Sequence, residues 1–198
     1  MGKIIHNGLK RLAIAACLSL AASGALAGML ATAAAEAEKT ADKGDFIRAF
    51  ETMRDALGDF TAMMPLTIGK AAFVTEKPKA YGSYRPKAEP VFEAGEPLIT
   101  YIELIGLTWQ RQEDGLQHSA FTVDFELIDS KGEILAGQKN FGTFSFAGFV
   151  RNQEIYTHLT LDVDGAAPGA YRLRYTVNDT LGRRSTSFEQ PFTVAARN

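Results

Sequence analysis

Side chains that carry covalent or metal chemistry are scarce in this sequence. Its 198 residues include one cysteine, Cys17, and three histidines. Because Cys17 lies within the leader described below, the processed chain is expected to hold no thiol, which excludes disulfides, a thiolate nucleophile and sulfur ligands. The histidines beyond the leader, His118 and His158, form no His-x-x-x-His motif. We therefore expect neither a metal site nor a cofactor.

Catalytic sequence motifs are also missing. There is no Gly-x-Ser-x-Gly motif and no glycine-rich phosphate loop between a strand and a helix. His118 precedes Ser119, but consecutive residues of a strand point to opposite faces, so their side chains would not meet as a dyad. Carboxylates are numerous, yet nothing singles out two of them as an acid and base pair. The sequence thus predicts that the chain is not an enzyme.

The charge balance is mildly acidic. The formal net charge is −2, from 21 basic and 23 acidic residues. Removing Lys3, Lys10 and Arg11 with the leader leaves 18 basic residues against the same 23 acidic ones. Nucleic acids favour a basic face, so we expect no nucleic-acid partner.

Residues 1–35 have the three parts of a secretory signal peptide. Lys3, Lys10 and Arg11 form a positive n-region, and the apolar run 12–26 follows. We expect cleavage after Ala35 or, as the alternative, after Ala27, with export to the periplasm. If the leader is not cleaved, 12–35 is long enough to span a bilayer, and only then would the membrane be a partner.

A flexible linker is expected at 36–44 and an amphipathic helix at 45–64. Asp45 is a candidate N-cap, and Pro65 stops the helix. Apolar residues recur at spacings of four and three, which puts them on one helical stripe expected to be core. The members of this stripe are Phe46, Phe50, Met53, Leu57 and Phe60.

The rest of the chain, 70–195, reads as antiparallel β structure. The clearest strand follows the turn at Pro168 and Gly169, with Tyr171 and Leu173 at the start of a strict alternation of apolar and polar residues. The run 98–106 is apolar at nearly every position, which predicts a strand covered on both sides. Pro191 lacks an N–H and predicts an edge or a bulge in the last strand. The expected strands are 71–75, 98–106, 120–128, 133–146, 155–163, 168–177 and 185–194.

About seven strands with regular turns predict an all-β, immunoglobulin-like sandwich with one N-terminal helix. Tyr171, just after a Pro-Gly turn, is placed where such sandwiches use a corner tyrosine. A closed barrel remains the alternative fold. Several segments resemble those of exported bacterial proteins that have one Ig-like domain and no assigned activity. These segments are 81–86, 92–97, 168–171 and 188–194, and the resemblance covers 45–194 and implies the fold.

Candidate ligand-binding residues come from two loops. Trp109, Arg111 and His118 lie in 107–119, and Tyr81 and Tyr84 lie in 77–90. Tryptophan and tyrosine offer flat apolar area with a polar handle, which suits a sugar ring or a protein surface. The competing interpretation is that Trp109 folds back to cap the core.

These observations predict an exported, non-catalytic binding or protein-interaction module of the bacterial cell envelope. Its partner would be another envelope protein or a glycan. One alternative is a carboxylate-dependent hydrolase of envelope glycans, which would use the 107–119 region. Another is a structural envelope protein held by an uncleaved leader.

Overall fold

A computed structural model describes residues 28–196. The predicted n-region, Cys17 and the cleavage site after Ala27 lie outside these residues. The described chain divides into two units, one ending at Phe60 and the other beginning at Thr61.

The first unit is helical. Helix α1 covers residues 28–41, and a turn at 42–44 leads to helix α2, Phe46–Ala62. The prediction for 36–44 differs here, since 36–41 are helical and only the last three residues form a turn; the alanine and glutamate content of this stretch favours helix. Asp45 caps α2 as expected, because its Oδ1 accepts the Arg48 N–H at 3.2 Å. Within 28–196, no helix is both long and apolar enough to cross a membrane.

The apolar stripe of α2 is largely exposed, and the prediction that it forms core is wrong. Phe46 is 71% exposed and Phe50 is 67% exposed. The residues that α2 buries are small, namely Ala49, Ala56 and Gly58. The spacing of the large residues identified the helix correctly, but spacing alone does not reveal which face of a helix is packed.

The second unit is all-β, as predicted. Within the described residues it has seven strands of seven or more residues and two strands of two residues. Their bounds are β1 Thr67–Val74, β2 Val91–Phe92, β3 Leu98–Ile105, β4 Gln110–Arg111, β5 Gln117–Asp129, β6 Ile134–Gly148, β7 Ile155–Leu161, β8 Gly169–Asp179 and β9 Arg184–Val194.

The strands form two sheets. The smaller has the order β1-β3-β7 and is antiparallel throughout. The larger has the order β2-β9-β8-β5-β4, with β6 on the other edge of β5, and it curls. The short β2 runs parallel to the end of β9, where Val91 pairs with Thr193. Before that point β8 is the only strand of the described residues that pairs with β9, so Pro191 lies at an open edge as its missing N–H predicts.

Alternate residues of both sheets meet in one core. Its fully buried members include Phe121 and Val123 of β5, Leu173 and Tyr175 of β8, and Ile102 of β3. The other face of β3 is buried as well, since Tyr101 is 0% exposed. This confirms the prediction of a strand covered on both sides. Burial of these side chains, at roughly 25 cal/mol per Å² of apolar surface, is the main force that holds the sheets together.

Bulges bend β6, near the glycines where they were expected. The register with β5 shifts between Gln138 and Gly142, because Phe125 pairs with the first and Val123 with the second. The buried Asp124 holds this bulge by accepting the Asn140 N–H at 2.8 Å and the Lys139 ammonium at 3.0 Å. The extra residues let an exposed edge strand follow the curl of the sheet.

A buried carboxylate closes one end of the sandwich. Asp179, 1% exposed, accepts the Thr108 N–H at 3.0 Å, the Gly182 N–H at 2.9 Å and an Arg184 N–H at 3.2 Å. Arg184 also donates to the carbonyl of Gly106. Burial opposes ionisation of Asp179, but these hydrogen bonds outweigh it and keep its pKa below the ordinary value. The network joins the β8–β9 turn to the segment after β3.

Tyr171 lies at the opposite end of the larger sheet. The Tyr171 hydroxyl donates to the Ala167 carbonyl at 2.7 Å, which ties the start of β8 to the preceding turn. The Tyr171 ring stacks on Phe192 of β9, with 5.6 Å between ring centroids.

We expect Asp179→Asn to lower the free energy of unfolding by about 3 kcal/mol at neutral pH, because it removes the charge that Arg184 and the turn N–H groups bind. Since the folded-state pKa of Asp179 is lowered, its stabilisation is present above the pKa of an unfolded aspartate and is lost as the pH falls through the folded value. The loss caused by the substitution should therefore shrink in acid. Urea titrations across that pH range measure it, with the exposed Asp162→Asn as control. Equal stability of the wild type and Asp179→Asn at neutral pH would contradict the assignment.

We expect Tyr171→Phe to cost about 1 kcal/mol of unfolding free energy, because it removes one hydrogen bond and keeps the ring. Thermal or urea unfolding measures the change. Tyr156→Phe is the matched control, since the structure shows no hydrogen bond from the Tyr156 hydroxyl to a described residue. If the two variants unfold alike, the hydroxyl of Tyr171 does not stabilise the corner.

Candidate functional site

The predicted residues Arg111 and His118 share one hairpin but do not form a common surface. Gln110 pairs with His118, and Arg111 pairs with Gln117. Residues that pair directly lie on the same face of a ribbon, so Arg111 and His118 point to opposite faces. His118 Nε2 lies 2.8 Å from an Asp114 carboxylate oxygen. Its partner is thus a residue of the same hairpin.

Trp109 folds back onto the core, as the competing interpretation of the sequence predicted. It is half-buried and packs against the buried cluster between the sheets. With Leu107, Gln153 and Ile155 it lines a cavity of only about 10 Å³. Such a cavity holds about one water molecule at most, so a larger ligand does not fit inside it.

Tyr81 and Tyr84 lie elsewhere, on the outer face of the small sheet. The segment after β1 doubles back, with the Thr75 N–H donating to the Arg85 carbonyl at 3.0 Å. Tyr84 stacks on Tyr101 of β3 with 4.2 Å between ring centroids. The Gly82 N–H donates to the Tyr101 hydroxyl at 2.7 Å, so this loop covers β3.

Glu103 organises the hydroxyl groups on this face. The Tyr101 hydroxyl donates to Glu103 Oε1 at 2.6 Å. Burial, followed by the hydrogen bond to Glu103, raises the pKa of Tyr101, and burial followed by the charge of Glu103 raises the pKa of Tyr81. Burial, with help from Lys77, lowers the pKa of His158. A tyrosine whose pKa is raised stays protonated at neutral pH, so both hydroxyls keep their protons and can donate hydrogen bonds there.

A further concave surface is at neither place. It is an open groove of about 500 Å³ at the Tyr171 end of the larger sheet. Four separate segments contribute to it: the residue before β2, the β5–β6 turn, the start of β8 and the end of β9. Its lining is Pro90, Asp129, Ser130, Lys131, Gly132, Ala170, Tyr171, Arg172, Pro191, Phe192 and Thr193. We call this the Tyr171 groove.

The register of β5 with β8 places these segments together. Asp129 pairs with Tyr171, and Arg172 pairs with Pro191. The turn after β5 is tight because Asp129 Oδ1 accepts the N–H groups of Lys131 at 2.8 Å and Glu133 at 2.9 Å. These hydrogen bonds, with the charge of Lys131 as a smaller contribution, keep the pKa of Asp129 below its ordinary value.

The lining has an apolar part and a cationic part. Pro90 and Pro191 supply the apolar part, whereas the stacked rings of Tyr171 and Phe192 face the core between the sheets. Lys131 and Arg172 supply the charge. Volumes of 300–1,000 Å³ that combine apolar surface with a few polar groups are typical of ligand sites.

None of the five predicted binding residues lines the Tyr171 groove. Two of its members were singled out in the sequence for other reasons, Tyr171 as a corner tyrosine and Pro191 as an edge proline. The sequence therefore marked these turn and edge residues. Only the pairing of the strands brings them together to form the groove. No group of three or more histidine, cysteine or carboxylate side chains that could hold a metal occurs within residues 28–196.

Comparison with known proteins adds little about function. No protein-family model and no curated protein matches the chain. Among solved structures it is similar to a family 123 glycoside hydrolase from Clostridium perfringens, described in terms of glycolipid glycan hydrolysis, with 12% identity and a TM-score of 0.41. The match covers 68% of this chain and 28% of the hydrolase chain. A similarity at this level carries no argument about activity.

We expect Glu103→Gln to lower the pKa of Tyr81 and Tyr101 toward the ordinary tyrosine value, since it removes the anion that disfavours tyrosinate. The raised values should not vanish, because burial remains. An alkaline titration of tyrosinate absorbance measures the change. Glu113→Gln, in the exposed hairpin, is the control. An unchanged titration would show that Glu103 does not act on these hydroxyls.

Proposed function

We propose that this chain is an exported, non-catalytic binding module of the bacterial cell envelope, with the Tyr171 groove as its ligand site. The observation that carries the proposal is the groove itself, a concave surface of ligand-site volume that combines apolar and cationic groups at one end of a sandwich. Ends of β-sandwiches are common places for recognition.

The order of the strands supports an Ig-like sandwich within this proposal. Among the seven longer strands, the first, second and fifth form one sheet, and the seventh, sixth, third and fourth form the other. This division matches the two-sheet arrangement of Ig domains that carry an added fourth strand beside the third. The bond from Tyr171 to Ala167 supplies the corner expected of such domains. On these grounds we also propose that the chain is similar to exported bacterial proteins that have a single Ig-like domain.

Export to the periplasm rests on the leader pattern alone. The positive residues Lys3, Lys10 and Arg11 precede an apolar run, and small residues suited to a signal peptidase follow it. A partner in that compartment would be another envelope protein or a glycan.

The residues of the groove favour binding over hydrolysis. Glycoside hydrolysis ordinarily uses two carboxyl groups that face each other across the substrate. The lining contains one, Asp129, whose Oδ1 already accepts two N–H groups of its own turn. A second carboxylate for acid and base chemistry is not among the lining residues.

The proposal predicts where on the protein a ligand binds. When panels of peptides and envelope glycans are added to the labelled full chain, amide signals of Ala170, Arg172 and Thr193 should shift, and those of Arg111 and His118 should not. The ligand should remain chemically unchanged, which its own spectrum reports. Amide proton–nitrogen correlation spectra make both measurements.

Two variants test the location of the binding site. Ala170→Trp should fill the groove and abolish the shifts, whereas Ser187→Trp, at an exposed position on the neighbouring strand β9, should leave them unchanged. If no probe shifts the amide signals of the groove residues, or if a bound probe is cleaved, the proposed function is wrong.

A further inference from the structure

The apolar stripe of helix α2 is narrow and regular. Its large residues follow one another at spacings of four, three, four and three, which is the a and d pattern of a heptad repeat. A helix that packs on a broad core usually has a wider apolar face, whereas a strict a and d stripe is typical of pairing with another helix. We call this stripe the α2 seam; its members are Phe46, Phe50, Met53, Leu57 and Phe60.

Most of the α2 seam is open to solvent. Phe46 is 71% exposed, Phe50 is 67% exposed and Leu57 is 44% exposed. Ile47, beside Phe46, is 76% exposed and widens the apolar surface. Single exposed apolar residues are ordinary on a protein surface, but a contiguous row of large ones marks a place of interaction.

Helix α2 is already packed on an adjacent side. Ala49 and Ala56 are buried, and each directly precedes a residue of the seam, so both lie about 100° around the helix from it. The polar face is on a further side, and its charged members include Arg48, Glu51, Asp55 and Asp59. The α2 seam is therefore a second apolar surface, separate from the one that packs within the chain.

The charge of the helical unit disfavours a membrane as the partner of the seam. Helices that lie on anionic lipid usually carry lysine and arginine on their polar face. Residues 28–62 contain four basic and seven acidic side chains. Such a segment is repelled by anionic headgroups, so a protein helix is the better occupant.

A second copy of α2 offers enough apolar area for a weak interface. Large apolar side chains have roughly 150–250 Å² of surface each, so at the exposed fractions found for the seam and Ile47 one copy offers on the order of 500 Å². Two copies would then bury on the order of 1,000 Å², which is near the lower limit of a specific interface. Because both copies carry the same seam, each apolar layer of one helix meets an apolar layer of the other.

We propose that two copies of the chain associate through their α2 seams and form a short coiled coil. Because the buried area is small, we expect a weak dimer with a Kd in roughly the micromolar range. Both candidate cleavage sites of the leader precede α2, so the seam would remain in the exported chain whichever site is used. The dimer uses none of the residues that line the Tyr171 groove and goes beyond the proposed binding function.

Sedimentation equilibrium of the full chain, from about 0.1 μM to about 100 μM, tests the proposal. The wild type should pass from monomer to dimer. Phe50→Glu places a charge in the seam and should raise the dimer Kd at least about ten-fold. Ala62→Glu adds the same charge at an exposed position outside the seam and should change the Kd less than about two-fold. Circular dichroism should show unchanged helix and sheet content in both variants, since both sites are exposed.

A chain that stays monomeric over the whole range overturns the proposal. A dimer that neither Phe50→Glu nor Leu57→Glu weakens also overturns it. If the chain does not dimerise but sediments with vesicles of phosphatidylethanolamine and phosphatidylglycerol, and Phe50→Glu abolishes that binding, the seam binds lipid and the proposal is wrong. Ligand-induced shifts of the groove amides should be the same in the wild type and Phe50→Glu, so failure of the dimer would not affect the proposed function.

Discussion

The antiparallel pairing of β5 with β8 is the constraint on which the rest of the structure depends. Their register runs without a break from Phe121 opposite Asp179 to Asp129 opposite Tyr171. Because side chains alternate between faces, this register turns Phe121 and its alternating neighbours inward and leaves the polar positions outside. A slip of one residue would expose the whole apolar set, so burial of one face selects the register strongly.

The same pairing gives the two ends of the larger sheet different character. At one end Asp179 is buried and collects donors from Thr108, Gly182 and Arg184, which closes the sandwich with a satisfied polar network. At the other end Tyr171 stacks on Phe192 and is surrounded by turns that do not cover it fully. The closed end provides stability, and the open end leaves part of its surface uncovered.

Most of the sandwich could be predicted because its strands are long and buried on one side. The alternation in 120–128 and 168–177 predicted β5 and β8 to within a few residues, and the unbroken apolar run predicted β3. Two strands were missed, β2 and β4, since two residues carry no periodicity. The pairing of β2 with β9 depends on how distant segments cross, which local sequence does not encode.

The helical unit shows a second limit of sequence patterns. The spacing of Phe46, Phe50, Met53 and Leu57 predicts a helix, and the helix exists. The pattern indicates that these residues share one face of the helix. It does not indicate whether that face is covered, and the structure leaves the face largely exposed. Helix α1 was missed because its alanine-rich composition was assigned to a leader and a linker. High helix propensity was visible there, although the signal peptide was the stronger pattern.

The predicted binding residues show why aromatic side chains in loops are an uncertain guide to function. Trp109 has enough apolar area that covering the core next to Ile155 stabilises the fold more than exposure would. Tyr84 likewise lies against Tyr101 and covers the outer face of β3. The groove instead includes Pro90 and Pro191, whose missing N–H groups leave this part of the sheet edge without ladder hydrogen bonds from their nitrogens. Turn and edge residues were therefore better indicators of an open surface than the residues with the largest side chains.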